Sequence, residues 1–154
     1  MDTLAAYLNT VFQADPASRH NLRASAYARL SDLRVALQRG LSEPRLVSRR
    51  ALAWWPVEVA LERVANAISD TAWSAPDDGP APTAAQLAQL AACLHDMSTA
   101  VAQGAPMPST PIATSSPALQ EVAAQIETLR ATLAGPDFAA ASLRVPPNQP
   151  ANQV

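Results

Sequence analysis

Hydrophobic positions recur at helical intervals along most of the chain. Leu4, Leu8, Val11 and Phe12 share one face, with Tyr7 alongside, and predict a short first helix over about 2–13. Leu22, Ala26, Leu30, Leu33 and Leu37 follow at steps of 4, 4, 3 and 4, the stripe of a second helix over 16–40. Asp15-Pro16 supplies a cap and a proline at the first helical position. Gly40 suits the left-handed residue that ends a helix, and Glu43-Pro44 reinforces the break.

A third helix is predicted over 45–73, where Trp54, Val57, Leu61, Val64, Ile68 and Ala72 form the stripe. Pro56 lies inside it, without an N–H and with its ring crowding the carbonyl of Leu52. One helix kinked near Pro56 is preferred to two helices that meet there. Thr83 caps a fourth helix over 83–103, with Leu87, Leu90, Leu94, Met97 and Val101 in a 3, 4, 3, 4 seam. Ser116-Pro117 repeats the cap-plus-proline start for a fifth over 116–134, with Leu119, Val122, Ile126, Leu129 and Leu133 in the same rhythm. Segments 74–82 and 104–115, each with three prolines, read as breaker-rich connections. After Gly135-Pro136 the pattern stops, and 135–154 is expected to be a disordered tail. The fold class is therefore all-α: residues 1–134 as an antiparallel bundle of four long helices plus the short N-terminal one.

Composition narrows this further. At 154 residues the chain suits one domain, and 34 of its residues are Ala. Alanine favours helix but adds little apolar area, so the core must be thin and closely packed. All basic charge comes from 11 Arg, with no Lys. Eight of these Arg lie between Arg19 and Arg50, opposed only by Asp32 and Glu43. Such a surplus suits anionic lipid headgroups as a partner near Arg19–Arg50. Nucleic acid is not expected, because a turn at Gly40–Pro44 leads into an apolar rather than a polar recognition helix and the pI is about 5.6. The single Cys93 excludes an intrachain disulfide and fits a reducing compartment. No signal peptide and no stretch of about 18 apolar residues is present in the sequence.

No set of residues converges on chemistry. Cys93 and His95 are two positions apart on a helix, so they point about 200° apart and cannot share a metal ion. Glu58 and Glu62, one turn apart, are better placed to pair with arginines of the second helix or with Arg63 than to share a catalytic proton. Four glycines at helix ends or in loops leave no phosphate-binding loop. Neither catalysis, a cofactor nor a metal is expected.

One resemblance adds a place of work. Ala26-Tyr27-Ala28-Arg29-Leu30-Ser31-Asp32-Leu33-Arg34 is followed by Leu37-Gln38-Arg39 and Glu43-Pro44. Arg49-Arg50, Ala53-Trp54-Trp55-Pro56 and Leu61-Glu62-Arg63-Val64 come next. Over about Leu4 to Trp73 this order resembles the cytoplasmic C-terminal portion of the bacterial fusaric-acid-resistance-like membrane proteins, related to the aromatic acid exporters. The fourth and fifth helices resemble that family only in pattern. The resemblance implies an inner-membrane efflux or transport system, with this helical portion on the cytoplasmic side, no enzymatic activity and no cofactor. The partner it implies is the transmembrane region of that system, which this sequence does not contain; the chain itself is expected to be a soluble excised domain or truncated relative.

The expected function is then a non-catalytic domain acting in assembly or regulation through helix–helix contacts. Trp54, Trp55, Arg49, Arg50, Glu62 and Arg63 are the candidate interaction residues. Trp54 is expected in the core stripe and Trp55 at its edge, since adjacent helical residues point about 100° apart. Self-association as a homo-oligomer is expected if the seams of the fourth and fifth helices are not covered within the bundle. The competing reading is a stand-alone bundle that binds a small aromatic ligand beneath the tryptophan pair.

Overall fold

The computed structural model describes residues 1–12, 16–73, 81–112, 114–136 and 138–139. Five helices pack together: α1 (Asp2–Val11), α2 (Pro16–Leu41), α3 (Arg45–Trp73), α4 (Ala84–Gln103) and α5 (Gln120–Ala134). A 3₁₀ turn, Pro117–Leu119, leads into α5. The predicted stripes are the buried ones. Val57, Val64, Ile68, Leu87, Leu94, Leu119, Val122, Ile126 and Leu129 are wholly inaccessible to solvent. Burying each such side chain stabilises the fold by about 1.5–3 kcal/mol before entropy is charged against it.

Helix α3 runs unbroken through Pro56, so the alternative of two separate helices is not realised. Thr83 caps α4 with a full capping box. The Gln86 N–H donates to its hydroxyl, and the Gln86 side chain receives the Thr83 N–H at 2.9 Å. At the other end Gly104 takes φ +62°, and the Ala105 N–H reaches back to the Ala100 carbonyl.

Gly40 does something different from what its sequence context predicts. It lies inside α2, without a positive φ, and α2 continues to Leu41. A Cβ at this position would stand 3.0 Å from the Ala51 Cβ. The residue stands where α2 and α3 approach closely near their turn, rather than ending the helix.

Helix direction is the second departure. α2 and α3 are antiparallel: Tyr27 meets Asn66, Arg34 meets Glu58, and Gly40 meets Ala51. α4 and α5, in contrast, run the same way. Gln86 near the start of α4 hydrogen-bonds Ser115 just before α5, and Cys93 further along α4 feels the charges of Glu127 and Arg130 in α5. The connection between them therefore returns along the bundle. Arg130 donates to the carbonyls of Pro108 (3.2 Å) and Thr110 (2.8 Å), and Glu127 accepts the Ile112 N–H at 3.0 Å. With Pro108, Thr110 and Ile112 all held by side chains of α5, what looked like a loop is a return strap.

Two smaller expectations also change. Ser116 stands before the turn at Pro117, but its side chain makes no capping bond, and its hydroxyl is buried without a hydrogen-bond partner among the described residues. Phe138, assigned to the tail, is buried and meets the Trp54 ring edge-on at 4.9 Å. The ordered chain thus reaches past Gly135-Pro136 because an aromatic side chain has a core site to fill. Asp15 and residues 140–154 lie outside the described residues.

Candidate functional site

The α2–α3 hairpin is longer than the core it serves. Contributions of α2 to the main core end at Leu33, and those of α3 begin at Trp54. Beyond them Leu37 and Ala51 are buried outside that core, Ala51 at the close approach to Gly40. The two helices therefore extend past the core by roughly 12 Å, eight residues at 1.5 Å each.

At the base of this extension sits a charged clamp. Glu58 is 1% exposed and accepts from Arg34 twice, from Nε at 2.9 Å and Nη2 at 2.8 Å. The same Nη2 pairs with Glu62, which is partly exposed. The expectation that these glutamates pair with an arginine of the second helix is met by Arg34. Arg63 is exposed on α3 and has no carboxylate partner among the described residues. One arginine against two stacked carboxylates makes a structural tie across α2 and α3, not an acid–base pair open to a substrate.

On the core side of the clamp a hydroxyl network joins three helices. Ser69 Oγ donates to the Ala65 carbonyl and lies 3.1 Å from Tyr7 Oη and 3.3 Å from Tyr27 Oη. Tyr27 donates to Asn66 at 2.7 Å. These polar groups satisfy one another and leave nothing pointed at a ligand.

Past the clamp the surface changes character. Val35, Leu41, Val47, Leu52 and Trp55 are the large hydrophobic side chains left exposed among the described residues, and all lie between positions 35 and 55. Leu52, 59% exposed, and Trp55, 39% exposed, are three residues apart and share one face of α3. Arg39, Arg49 and Arg50 are exposed in the same stretch and meet no carboxylate among the described residues. Of the candidate interaction residues, the structure thus brings Trp55, Arg49 and Arg50 to one exposed end. It places Trp54 half-buried against Phe138 and Glu62 in the clamp. Val35, Leu41, Val47 and Leu52 were missed. Their sequence signal was that each falls off the helical stripe that explains its neighbours.

Two further titratable side chains with shifted protonation, Asp2 and Cys93, lie on α1 and α4. Asp2 Oδ1 is 3.1 Å from His95 Nδ1, and Ser98 Oγ donates to Asp2 Oδ2 at 3.2 Å, which pins α1 to α4. Burial pushes the Asp2 carboxyl up, but His95, Ser98 and the neighbouring N-terminal ammonium outweigh it and hold it below its ordinary value. Burial, then Asp96 and Glu127, pushes the Cys93 thiol up, so it stays protonated and a poor nucleophile. Among the described residues no three His, Cys, Asp or Glu side chains form a metal-binding group, and no helix is long and apolar enough to cross a membrane.

The seams of α4 and α5 are consumed inside the chain: Leu87, Leu90, Leu94 and Met97 on one, and Leu119 through Leu133 on the other, are buried. A second copy would have to use another face. No protein-family model, curated protein or solved structure matches this chain.

Proposed function

We propose that the chain is a non-catalytic helical domain of a membrane transport or efflux-type protein, working on the cytoplasmic side in assembly or regulation through its helix surfaces. One observation carries this reading: a closed core with the exposed large apolar side chains of the described residues gathered at a single end, the tip of the α2–α3 hairpin, beside Arg39, Arg49 and Arg50. A domain that works by contact needs such a surface, whereas an enzyme needs converging acid, base or nucleophile groups. The resemblance over Leu4–Trp73 to the fusaric-acid-resistance-like proteins supports the membrane setting. A ligand site under the tryptophan pair has less support, because Trp54 is engaged by Phe138 and Trp55 is exposed.

The test is fractionation of the tagged chain, expressed from its own locus. Recovery with the inner membrane, together with a protein or linked coding segment that has apolar spans of about 18 residues or more, supports the reading. Recovery wholly in the soluble fraction, with no such span in the same gene or its neighbours, contradicts it.

A further inference from the structure

We infer that the tip of the α2–α3 hairpin, residues 35–55, docks onto an anionic phospholipid surface. This deepens the reading just given by naming the partner of the exposed end.

Three properties coincide there. The exposed large hydrophobic side chains of the described residues are confined to this stretch, so the patch is local and not a general surface composition. The stretch holds Arg39, Arg45, Arg49 and Arg50 against Glu43, a surplus of three positive charges in a chain of net charge −2. The end also lies past the main core, whose α2 and α3 members stop at Leu33 and Trp54.

Apolar side chains beside Arg39, Arg49 and Arg50, which meet no carboxylate among the described residues, fit the boundary between headgroups and acyl chains. There Leu52 and Val47 leave water, the arginines meet phosphates, and Trp55 takes the interfacial position its amphipathic ring favours. A second copy fits less well. A two-fold contact of this patch on itself sets Arg49 and Arg50 against their own kind.

The test uses the full chain and sedimentation with vesicles of pure phosphatidylcholine, or of phosphatidylcholine with about a third phosphatidylglycerol, at low and physiological salt. The chain is expected on the anionic vesicles only. With each surface arginine contributing about 1 kcal/mol and tenfold for every 1.4 kcal/mol, Arg49→Gln/Arg50→Gln should weaken binding about thirtyfold. The matched double Arg19→Gln/Arg29→Gln, away from the tip, should change it less than about threefold. Leu52→Ser/Trp55→Ser should abolish the binding that survives at physiological salt. All replaced side chains are at the surface or partly so, and unchanged helix content by circular dichroism confirms that the variants fold.

Equal weakening by the two arginine doubles overturns the proposal, because net charge and not the tip would then be responsible. Equal binding to both vesicle types overturns the anionic partner. Absence of vesicle binding, with concentration-dependent self-association lost in Leu52→Ser, assigns the patch to a second copy instead. Vesicle binding without any membrane-spanning partner would leave this inference standing and remove the transport reading; the reverse pattern would do the opposite.

Discussion

Arg34 and Glu58 are joined by two contacts of 2.8 and 2.9 Å across α2 and α3, with the glutamate almost fully buried and the arginine 43% exposed. A carboxylate in that position depends on its partner, because the tie replaces the water it has lost. Arg34→Met should therefore destabilise the fold by about 2–4 kcal/mol, less than for a fully buried pair because the guanidinium is half in water. Arg34→Met/Glu58→Leu should recover much of that loss, since no buried charge is then left alone. Urea unfolding followed by circular dichroism measures both; a neutral Arg34→Met would mean that Glu58 has another partner.

Trp54 and Phe138 predict that stability extends past the last long helix. Trp54→Ala should cost about 3 kcal/mol, and Phe138→Ala a comparable amount, with Trp55→Ala well below about 1 kcal/mol. A double-mutant cycle on Trp54 and Phe138 should show coupling of about 0.5–1.5 kcal/mol. A chain that ends at Ala134 should melt lower than one that ends at Ala139. Equal melting temperatures would mean that the ring contact contributes nothing.

Gly40 separates two explanations of one residue. If it serves close approach, Gly40→Leu should wedge α2 from α3 and cost about 1–3 kcal/mol. Gly40→Ala gains about 1 kcal/mol in helix propensity against a tight contact with Ala51, so its net effect should be small. A left-handed glycine behaves differently: at Gly104 any Cβ is strained, and Gly104→Ala should be destabilising by about 1 kcal/mol. Thermal melts of the three variants distinguish the cases.

Much of this was legible in the residues. The stripes, the cap at Thr83 and the pairing of Glu58 and Glu62 with α2 all follow from spacing and residue type. Gly40 was misread because a glycine before Glu43-Pro44 looks the same whether it ends a helix or admits its neighbour. The direction of α5 was hidden for a related reason: a 3, 4 seam has no sense of up or down. Only the length and proline content of 104–115 hinted that this segment spans the bundle. Phe138 lies beyond Gly135-Pro136, where periodicity had stopped, and a lone aromatic residue carries no pattern. The exposed end emerged only from packing, since Leu52 or Val47 becomes informative once its neighbours are known to be covered.

Asp2 gives the pH dependence. Its folded pKa lies below the ordinary 3.8, because His95, Ser98 and the N-terminal ammonium outweigh burial. A depressed carboxyl contributes stability that is present above its unfolded pKa and is lost as the pH falls through the folded value. The attachment of α1 to α4 should therefore weaken below about pH 4. In Asp2→Asn that part of the acid loss should be missing. Amide exchange of α1 between pH 6 and pH 3 reads this directly, and identical acid profiles for the two proteins would contradict it.

The claim that the hairpin tip is the working surface is tested most directly by the depth of Trp55 in a bilayer. In Trp54→Phe/Trp73→Phe, Trp55 is the single remaining tryptophan. With anionic vesicles that carry lipids brominated at known acyl positions, its fluorescence should shift to the blue and be quenched most by bromines nearest the headgroups. An unshifted spectrum with no quenching at any depth would contradict the account.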